Sequence, residues 1–122
     1  MRQLLHPAPE EITVEGVLHA LSDPVRAQIF ARLAGSGAAQ MCSDFREVRE
    51  RAIPKSTLSQ HFKVLREAGL IRSERRGVEM RSTSRCAEIE RRFPGLIPAI
   101  MRARQAQSSG RGRGPAARRP RA

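Results

Sequence analysis

A chain of 122 residues, 39% of them hydrophobic, has room for one domain with a single modest core, and this excludes a separate catalytic domain. The formal net charge of +11 is unevenly spread: residues 55–85 hold 8 basic and 3 acidic side chains, and residues 108–122 hold 5 basic and no acidic ones. Such concentrated positive charge suits a partner with regularly spaced phosphates.

Other functional classes find little support. No apolar run approaches the ~18 residues that a membrane span needs. The first residues, MRQLLHPAPEE, lack the apolar region of a secretion signal, and two cysteines suit a reducing compartment, so we expect a cytoplasmic protein. Serine-hydrolase, zinc-protease and phosphate-loop motifs are missing from the sequence. We therefore expect no catalysis and no cofactor.

Two amphipathic helices are predicted near the start of the chain. Residues 1–11 contain Pro7 and Pro9 and should form an irregular lead-in. A first helix from about 12 to 21 is indicated by apolar residues with helical spacing, namely Val14, Val17, Leu18 and Leu21. Asp23 suits the N-cap of a second helix that ends at Gly35–Gly37. A short support helix is then expected over residues 43–51, with Phe45 and Val48 facing inward.

Residues 54–81 contain the most informative pattern. Leu58, Phe62 and Leu65 recur at helical spacing and should face a core. Four polar side chains then cluster on the opposite face: Ser56, Ser59, Gln60 and Lys63. Pro54 with a Ser56 or Thr57 hydroxyl suits the start of this helix, and Gly69 suits its end. A helix about 10–12 Å wide with such a face fits the major groove of DNA.

A basic hairpin is predicted directly after this helix. Residues 70–74 and 78–83 look like two short strands joined at Arg75-Arg76-Gly77, so that two guanidinium groups would lie at the tip. A hairpin in this position makes a winged helix-turn-helix. The fold class is therefore mainly α with a small β-hairpin.

The C-terminal part divides into a helical stretch and a basic tail. Apolar residues continue at helical spacing from Ile89 to Met101, but Pro94 predicts a break or kink at 93–95. From residue 108 the sequence SSGRGRGPAARRPRA has no large apolar side chain, so it should be disordered. The folded domain should accordingly span residues 12–107 and be followed by a tail over 108–122.

Two runs, ALSDPVRAQIFARLA at 20–34 and STLSQHFKVLREAGLI at 56–71, resemble the ArsR-type family of small dimeric bacterial winged-helix repressors. The similarity covers roughly residues 12–104. It implies a repressor that binds double-stranded DNA, with a homodimer formed through the first and last helices. The effector is unknown. The implied DNA-binding residues are those of the recognition helix and the wing tip: Lys55, Ser56, Thr57, Ser59, Gln60, His61, Lys63, Arg66, Arg75 and Arg76.

The cysteines leave a question about signal sensing open. Metal-sensing members of the family carry Cys-x-Cys-Asp before the recognition helix, whereas this chain has Met41-Cys42-Ser43-Asp44 and no histidine on its last helix. We therefore expect no metal site. Cys42 and Cys86 are either small core residues or a redox switch of the kind that some family members use, and a disulfide would need Cα atoms within about 7 Å.

Two further functional classes remain open from the sequence. The arginine- and glycine-bearing tail could bind RNA or single strands, although four Phe and no Tyr or Trp provide little stacking surface. The winged fold could also serve as a protein-interaction module that does not read DNA. Binding to duplex DNA and to single-stranded RNA of equal length separates these classes.

Overall fold

The computed structural model describes residues 4–36, 40–41, 47–48 and 51–112. In chain order, its elements are a 3-10 turn at Pro9–Glu11, α1 at Val14–Leu21, α2 at Pro24–Ser36, β1 at Gln40–Met41, β2 at Glu47–Val48, β3 at Arg51–Ala52, α3 at Lys55–Glu67, β4 at Ile71–Arg76, β5 at Glu79–Ser84, α4 at Cys86–Arg92 and α5 at Leu96–Gly112. The structure confirms the predicted class, mainly helical with an antiparallel hairpin.

One hydrophobic core joins the helices and the base of the hairpin. Its largest fully buried side chains come from every part of this arrangement: Ile12, Val17, Ile29, Phe30, Leu33, Leu58, Leu65, Leu70, Ile71 and Ile89. The apolar stripes of α1 and α2 meet that of α3 there, and α4 adds Ile89. This core fixes the direction in which the opposite face of α3 points.

The corner between α1 and α2 is built as the sequence predicts. Oδ1 of Asp23 accepts hydrogen bonds from the backbone N–H groups of Val25 and Arg26 at 2.8 and 3.1 Å, so Asp23 caps α2. Burial alone would raise the pKa of Asp23, but these hydrogen bonds and the charges of His61 and Arg26 outweigh it and lower that pKa. The side chain of Arg26 also donates from Nε to the carbonyl of Ala20 at 2.7 Å and so ties the two helices together.

The hairpin forms one side of a three-stranded sheet with the order β1-β5-β4. Ser73 lies opposite Ser82, Arg75 opposite Met80 and Arg76 opposite Glu79. The predicted turn at 75–77 is therefore wrong by one to two residues, because both arginines belong to β4 and the loop is Gly77-Val78. Gly77 has φ +63°, which allows a two-residue loop and keeps the arginines in the ladder.

The predicted support helix is wrong where the structure describes it. Residues 47–48 and 51–52 form the antiparallel pair β2–β3, and residues 42–46 and 49–50 lie outside the described residues. A nine-residue helix with two inward side chains is only marginally stable, because helix nucleation is unfavourable and the small buried area does little to offset it.

The C-terminal stretch breaks where proline predicts it. Helix α4 ends at Arg92 and α5 begins at Leu96, with Gly95 at φ +84° between them. Pro98 does not interrupt α5, because it occupies the first turn, where a backbone N–H has no partner within the helix. Helix α5 continues to Gly112, five residues into the segment predicted to be disordered, since arginine, alanine and glutamine before it favour helix. Residues 113–122 lie outside the described residues.

Candidate nucleic-acid interface

Helix α3 has the two faces that its sequence predicts. Leu58, Phe62 and Leu65 are buried in the core. The groove face, which we define as Ser56, Ser59, Gln60 and Lys63, is exposed to solvent. Glu67 is exposed as well and lies four residues after Lys63, so a carboxylate marks the C-terminal end of that side. Hydrogen-bonding groups without negative charge therefore occupy the first two turns.

The predicted hydroxyl cap of α3 is wrong. The helix begins at Lys55 with Pro54 as the N-cap, and no side chain caps it. The N–H of Leu58 bonds to the carbonyl of Pro54 at 2.9 Å. Proline supplies a fixed φ for entry into the helix and has no N–H to satisfy. The hydroxyls of Ser56 and Thr57 are consequently not used for capping and are exposed.

A Schellman motif ends α3 and turns the chain into the wing. The N–H of Leu70 bonds to the carbonyl of Leu65, and the N–H of Gly69 to that of Arg66, both at 3.0 Å. Gly69 has φ +87°, as its predicted role requires. Because Leu65 and Leu70 are both fully buried, this turn holds the helix and the first wing strand in a fixed relation.

The remaining predicted residues of α3 lie on its two flanks. At about 100° per residue, Lys55 and Arg66 fall on one flank, and Thr57 and His61 on the other. Arg66 is half-buried near the end of the helix, whereas Lys55 is exposed. Nδ1 of His61 is buried and has no hydrogen-bond partner among the described residues. These four side chains therefore border the groove face rather than belong to it.

The two arginines of the wing tip differ in their surroundings. The side chain of Arg76 donates to Glu74 at 3.2 Å, and Glu79 lies directly opposite Arg76 on β5. Arg75 points to the other face of the sheet, since successive strand residues alternate. Its side chain is exposed and makes no hydrogen bond or ion pair with the described residues. Arg75 is thus the wing-tip arginine whose charge is not already compensated.

A buried hydroxyl pair stiffens the wing below its tip. The hydroxyl oxygens of Ser73 and Ser82 lie 2.8 Å apart on facing strands, and both residues are buried. Each hydroxyl satisfies the other, so the pair avoids the cost of burying an unbonded polar group. Sequence reasoning did not find this pair, because two serines in alternating strands look like solvent-facing residues.

The described part of the N-terminal lead-in, residues 4–11, and the following Ile12 pack across the junction of α3 and β4, which the sequence did not predict. Arg85, which is buried, donates from its side chain to the carbonyl of Pro7 at 3.0 Å and to Glu88 Oε1. Arg92 donates from Nε to the carbonyl of Ile12 at 2.9 Å. The contacts with Pro7 and Ile12 join residues 78 and 80 positions apart, so no local pattern in the sequence predicts them.

Of the two cysteines, the structure describes Cys86. Cys86 is a free, half-buried thiol at the first residue of α4, and Cys42 lies outside the described residues. Within residues 4–36, 40–41, 47–48 and 51–112, no three His, Cys, Asp or Glu side chains are grouped so that they could hold a metal ion. No helix in the same ranges is long and apolar enough to cross a membrane.

Comparisons with known proteins identify the type of this fold. A helix-turn-helix domain family matches residues 21–74, which run from the end of α1 into β4. An ArsR-like transcriptional regulator from Rhodococcus sp. RHA1 superimposes with a TM-score of 0.53 at 27% identity, over 76% of this chain and 86% of that one. The chain thus has a helix-turn-helix domain within a winged helix-turn-helix fold that is similar to that of ArsR-like regulators. NolR from Sinorhizobium fredii shares the fold, with a TM-score of 0.55 at 20% identity, over 86% of this chain and 96% of NolR.

A further relative matches the helix-turn-helix part of the chain. An HTH-type transcriptional regulator of Methanocaldococcus jannaschii is 30% identical over 61 residues, which are 50% of this chain and 65% of that relative. The chain thus spans slightly less than two thirds of the relative that it matches. The ArsR-type resemblance inferred from residues 20–34 and 56–71 is confirmed.

Proposed function

We propose that this chain is a homodimeric transcription regulator of the ArsR type that binds double-stranded DNA sequence-specifically and has no catalytic activity. The observation that carries the proposal is the groove face of α3, held outward by the buried stripe of Leu58, Phe62 and Leu65 beside a wing with an uncompensated Arg75. The resemblance to a family of repressors makes repression the proposed role.

The roles of the groove face differ from residue to residue. Ser56 and Gln60 lie one turn apart and present a hydroxyl and an amide, which bond to base edges. Lys63 lies one turn after Ser59 and presents a point charge, which neutralises a phosphate and releases counterions. Gln60 should therefore determine sequence preference, whereas Lys63 should add affinity for any duplex.

Two substitutions test this division. Gln60→Ala should relax preference by ~1–3 kcal/mol at one position of each half-site, whereas Lys63→Ala should weaken specific and random duplexes similarly. Electrophoretic mobility shifts on selected and random DNA measure both effects. Equal losses from the two variants on both DNAs would contradict the assigned roles. Single-stranded RNA of equal length is the competitor that tests the RNA-binding alternative.

The homodimer is proposed from apolar surface that the monomer leaves open. Leu18 on α1 is 48% exposed, and Leu96, Ile100 and Met101 on α5 are only partly buried. A two-fold pairing of these helices would cover them and set two copies of α3 on half-sites about 34 Å apart. The simpler alternative is that these side chains only cap the core of the monomer.

Sedimentation of two matched variants decides between dimer and monomer. Leu18→Asp should shift the protein from dimer to monomer. Leu5→Asp changes an 86% exposed leucine of the lead-in and serves as the control. A monomeric unsubstituted protein, or a dimer that tolerates Leu18→Asp, would contradict this interface.

A further inference from the structure

The lead-in covers the outer edge of the wing through one histidine. Strand β4 lies at the end of the order β1-β5-β4, so its ladder partners lie on one side only. On the other side, the backbone N–H of Ser73 donates to Nε2 of His6 at 3.0 Å. An imidazole 67 positions away in sequence thus occupies the place where another strand would pair.

This hydrogen bond requires the neutral imidazole. Nε2 can accept only through its lone pair, so the ring proton must lie on Nδ1. A protonated ring carries N–H groups at both nitrogens and cannot accept from Ser73. The contact therefore exists in one protonation state and is lost in the other.

The charges around His6 also disfavour the protonated ring. Three arginines act on the imidazole: Arg66 of α3, Arg72 of β4 and Arg85 before α4. The carboxylate of Glu88 on α4 pairs with two of them, with Arg72 at 3.2 Å and with Arg85 at 3.0 Å. Burial and then these three arginines lower the pKa of His6 below its ordinary value, and a hydrogen bond with the backbone of Leu4 acts weakly in the opposite direction.

We propose that His6 is a positioning residue for the wing, whose neutral imidazole holds β4 at Ser73 and whose protonation frees that edge. Ser73 precedes Arg75 by two residues, about 6.8 Å along the strand, so the contact controls where the uncompensated guanidinium lies. Arg85 still holds the carbonyl of Pro7, and release is therefore confined to residues 4–6. The role in DNA binding rests on the proposed function, whereas the release itself does not.

Amide exchange at Ser73, followed by NMR without DNA, tests the release. In the unsubstituted protein, the protection of this amide relative to its intrinsic exchange should fall about threefold to tenfold between about pH 7.5 and pH 5. His6→Gln keeps an acceptor that does not titrate, so its protection should stay high. His6→Ala should show the lower protection at both pH values. His19→Gln, which changes an exposed histidine of α1, should behave like the unsubstituted protein.

The exchange results decide the first half of the proposal. Equal protection in the unsubstituted protein and in His6→Ala would overturn the contact. The same fall with pH in His6→Gln would overturn His6 as the titrating group.

A double-mutant cycle on DNA tests the positioning role. The salt slope is the slope of the logarithm of the DNA-binding constant against the logarithm of salt concentration. At neutral pH, His6→Ala and Arg75→Ala should each lower its magnitude by up to ~0.9, the value of one phosphate contact. The double variant should lose no more than either single variant. His6→Gln should restore the slope.

Additive losses would show that His6 acts on DNA independently of the wing, and an unchanged slope in His6→Ala would overturn the positioning role. Absence of any DNA binding by the unsubstituted protein would instead overturn the proposed function, and the exchange experiment would still decide whether His6 holds β4.

Discussion

A β-carbon placed on Gly69 would lie 2.5 Å from Cγ1 of Ile12 and 3.3 Å from Cγ of Pro7. The turn that ends the recognition helix is therefore also the place where the lead-in crosses it. Glycine is required there twice, once for φ +87° and once for the approach of the isoleucine side chain. Disturbance of this residue should affect the helix end, the wing and the lead-in together.

Gly69→Ala should destabilise the protein by about 2–4 kcal/mol, because it adds left-handed strain to a clash with buried Ile12. Urea unfolding measures the change. Gly35→Ala is the matched control, since nothing lies within 4 Å of its added β-carbon and alanine favours helix. Equal effects of the two substitutions would contradict the packing seen at Gly69.

The wing arginines should contribute unequally to DNA binding. Arg75→Ala should lower the magnitude of the salt slope by ~0.9, because its charge is free to neutralise a phosphate. Arg76→Ala should lower the slope less, since Glu74 already offsets that charge. Arg91→Ala removes an exposed arginine of α4 and is the control. A larger effect at Arg76 than at Arg75 would show that DNA displaces the Glu74 pair.

Acid should weaken the fold through Glu88. Hydrogen bonds from Arg85 lower the pKa of this carboxyl, burial acts against them, and Arg72 lowers it further, so the pKa lies below its ordinary 4.5 in the folded chain. The stability that this group contributes is present above pH 4.5 and is lost as the pH falls through the lowered pKa.

Glu88→Gln should reduce the free energy of unfolding by about 1–3 kcal/mol at neutral pH and flatten its decline in acid. Urea titrations at several pH values measure both quantities. Glu67→Gln, an exposed change on α3, is the control. An unchanged acid profile in Glu88→Gln would mean that other carboxylates carry the dependence.

The thiol of Cys86 should prove structural rather than sensory. Cys86 packs partly against the core at the start of α4, as a small apolar side chain does. Operator binding should therefore be indifferent to diamide, and zinc should not displace DNA. If diamide releases the protein from DNA and Cys42→Ser abolishes that release, the cysteines form a redox switch instead. Stoichiometric zinc binding at submicromolar concentration would overturn the expectation of no metal site.

Local signals account for the parts of the fold that the sequence predicted. The stripe of Leu58, Phe62 and Leu65 needed only helical spacing, and Gly69 and Pro94 marked chain turns by their own backbone preferences. The groove face followed from the same spacing, because polar residues between buried ones can only point outward.

The features that were missed depend on contacts between distant segments. The anchoring of His6 at Ser73 and of Pro7 at Arg85 joins residues 67 and 78 positions apart, and neither has a periodic pattern. The different surroundings of Arg75 and Arg76 depend on the register of the hairpin, and a shift of the turn by one residue would exchange them. The support helix failed because two apolar residues were too few to indicate what the surrounding chain would favour.

The contact of His6 with the edge of β4 also affects whether copies of this protein can associate through that edge. An open strand edge is a template for pairing with the edge of another molecule, and such pairing leads to aggregation. Removal of residues 1–8 would expose the N–H of Ser73 to that pairing. The segment that carries His6 should thus hinder edge-to-edge association at Ser73.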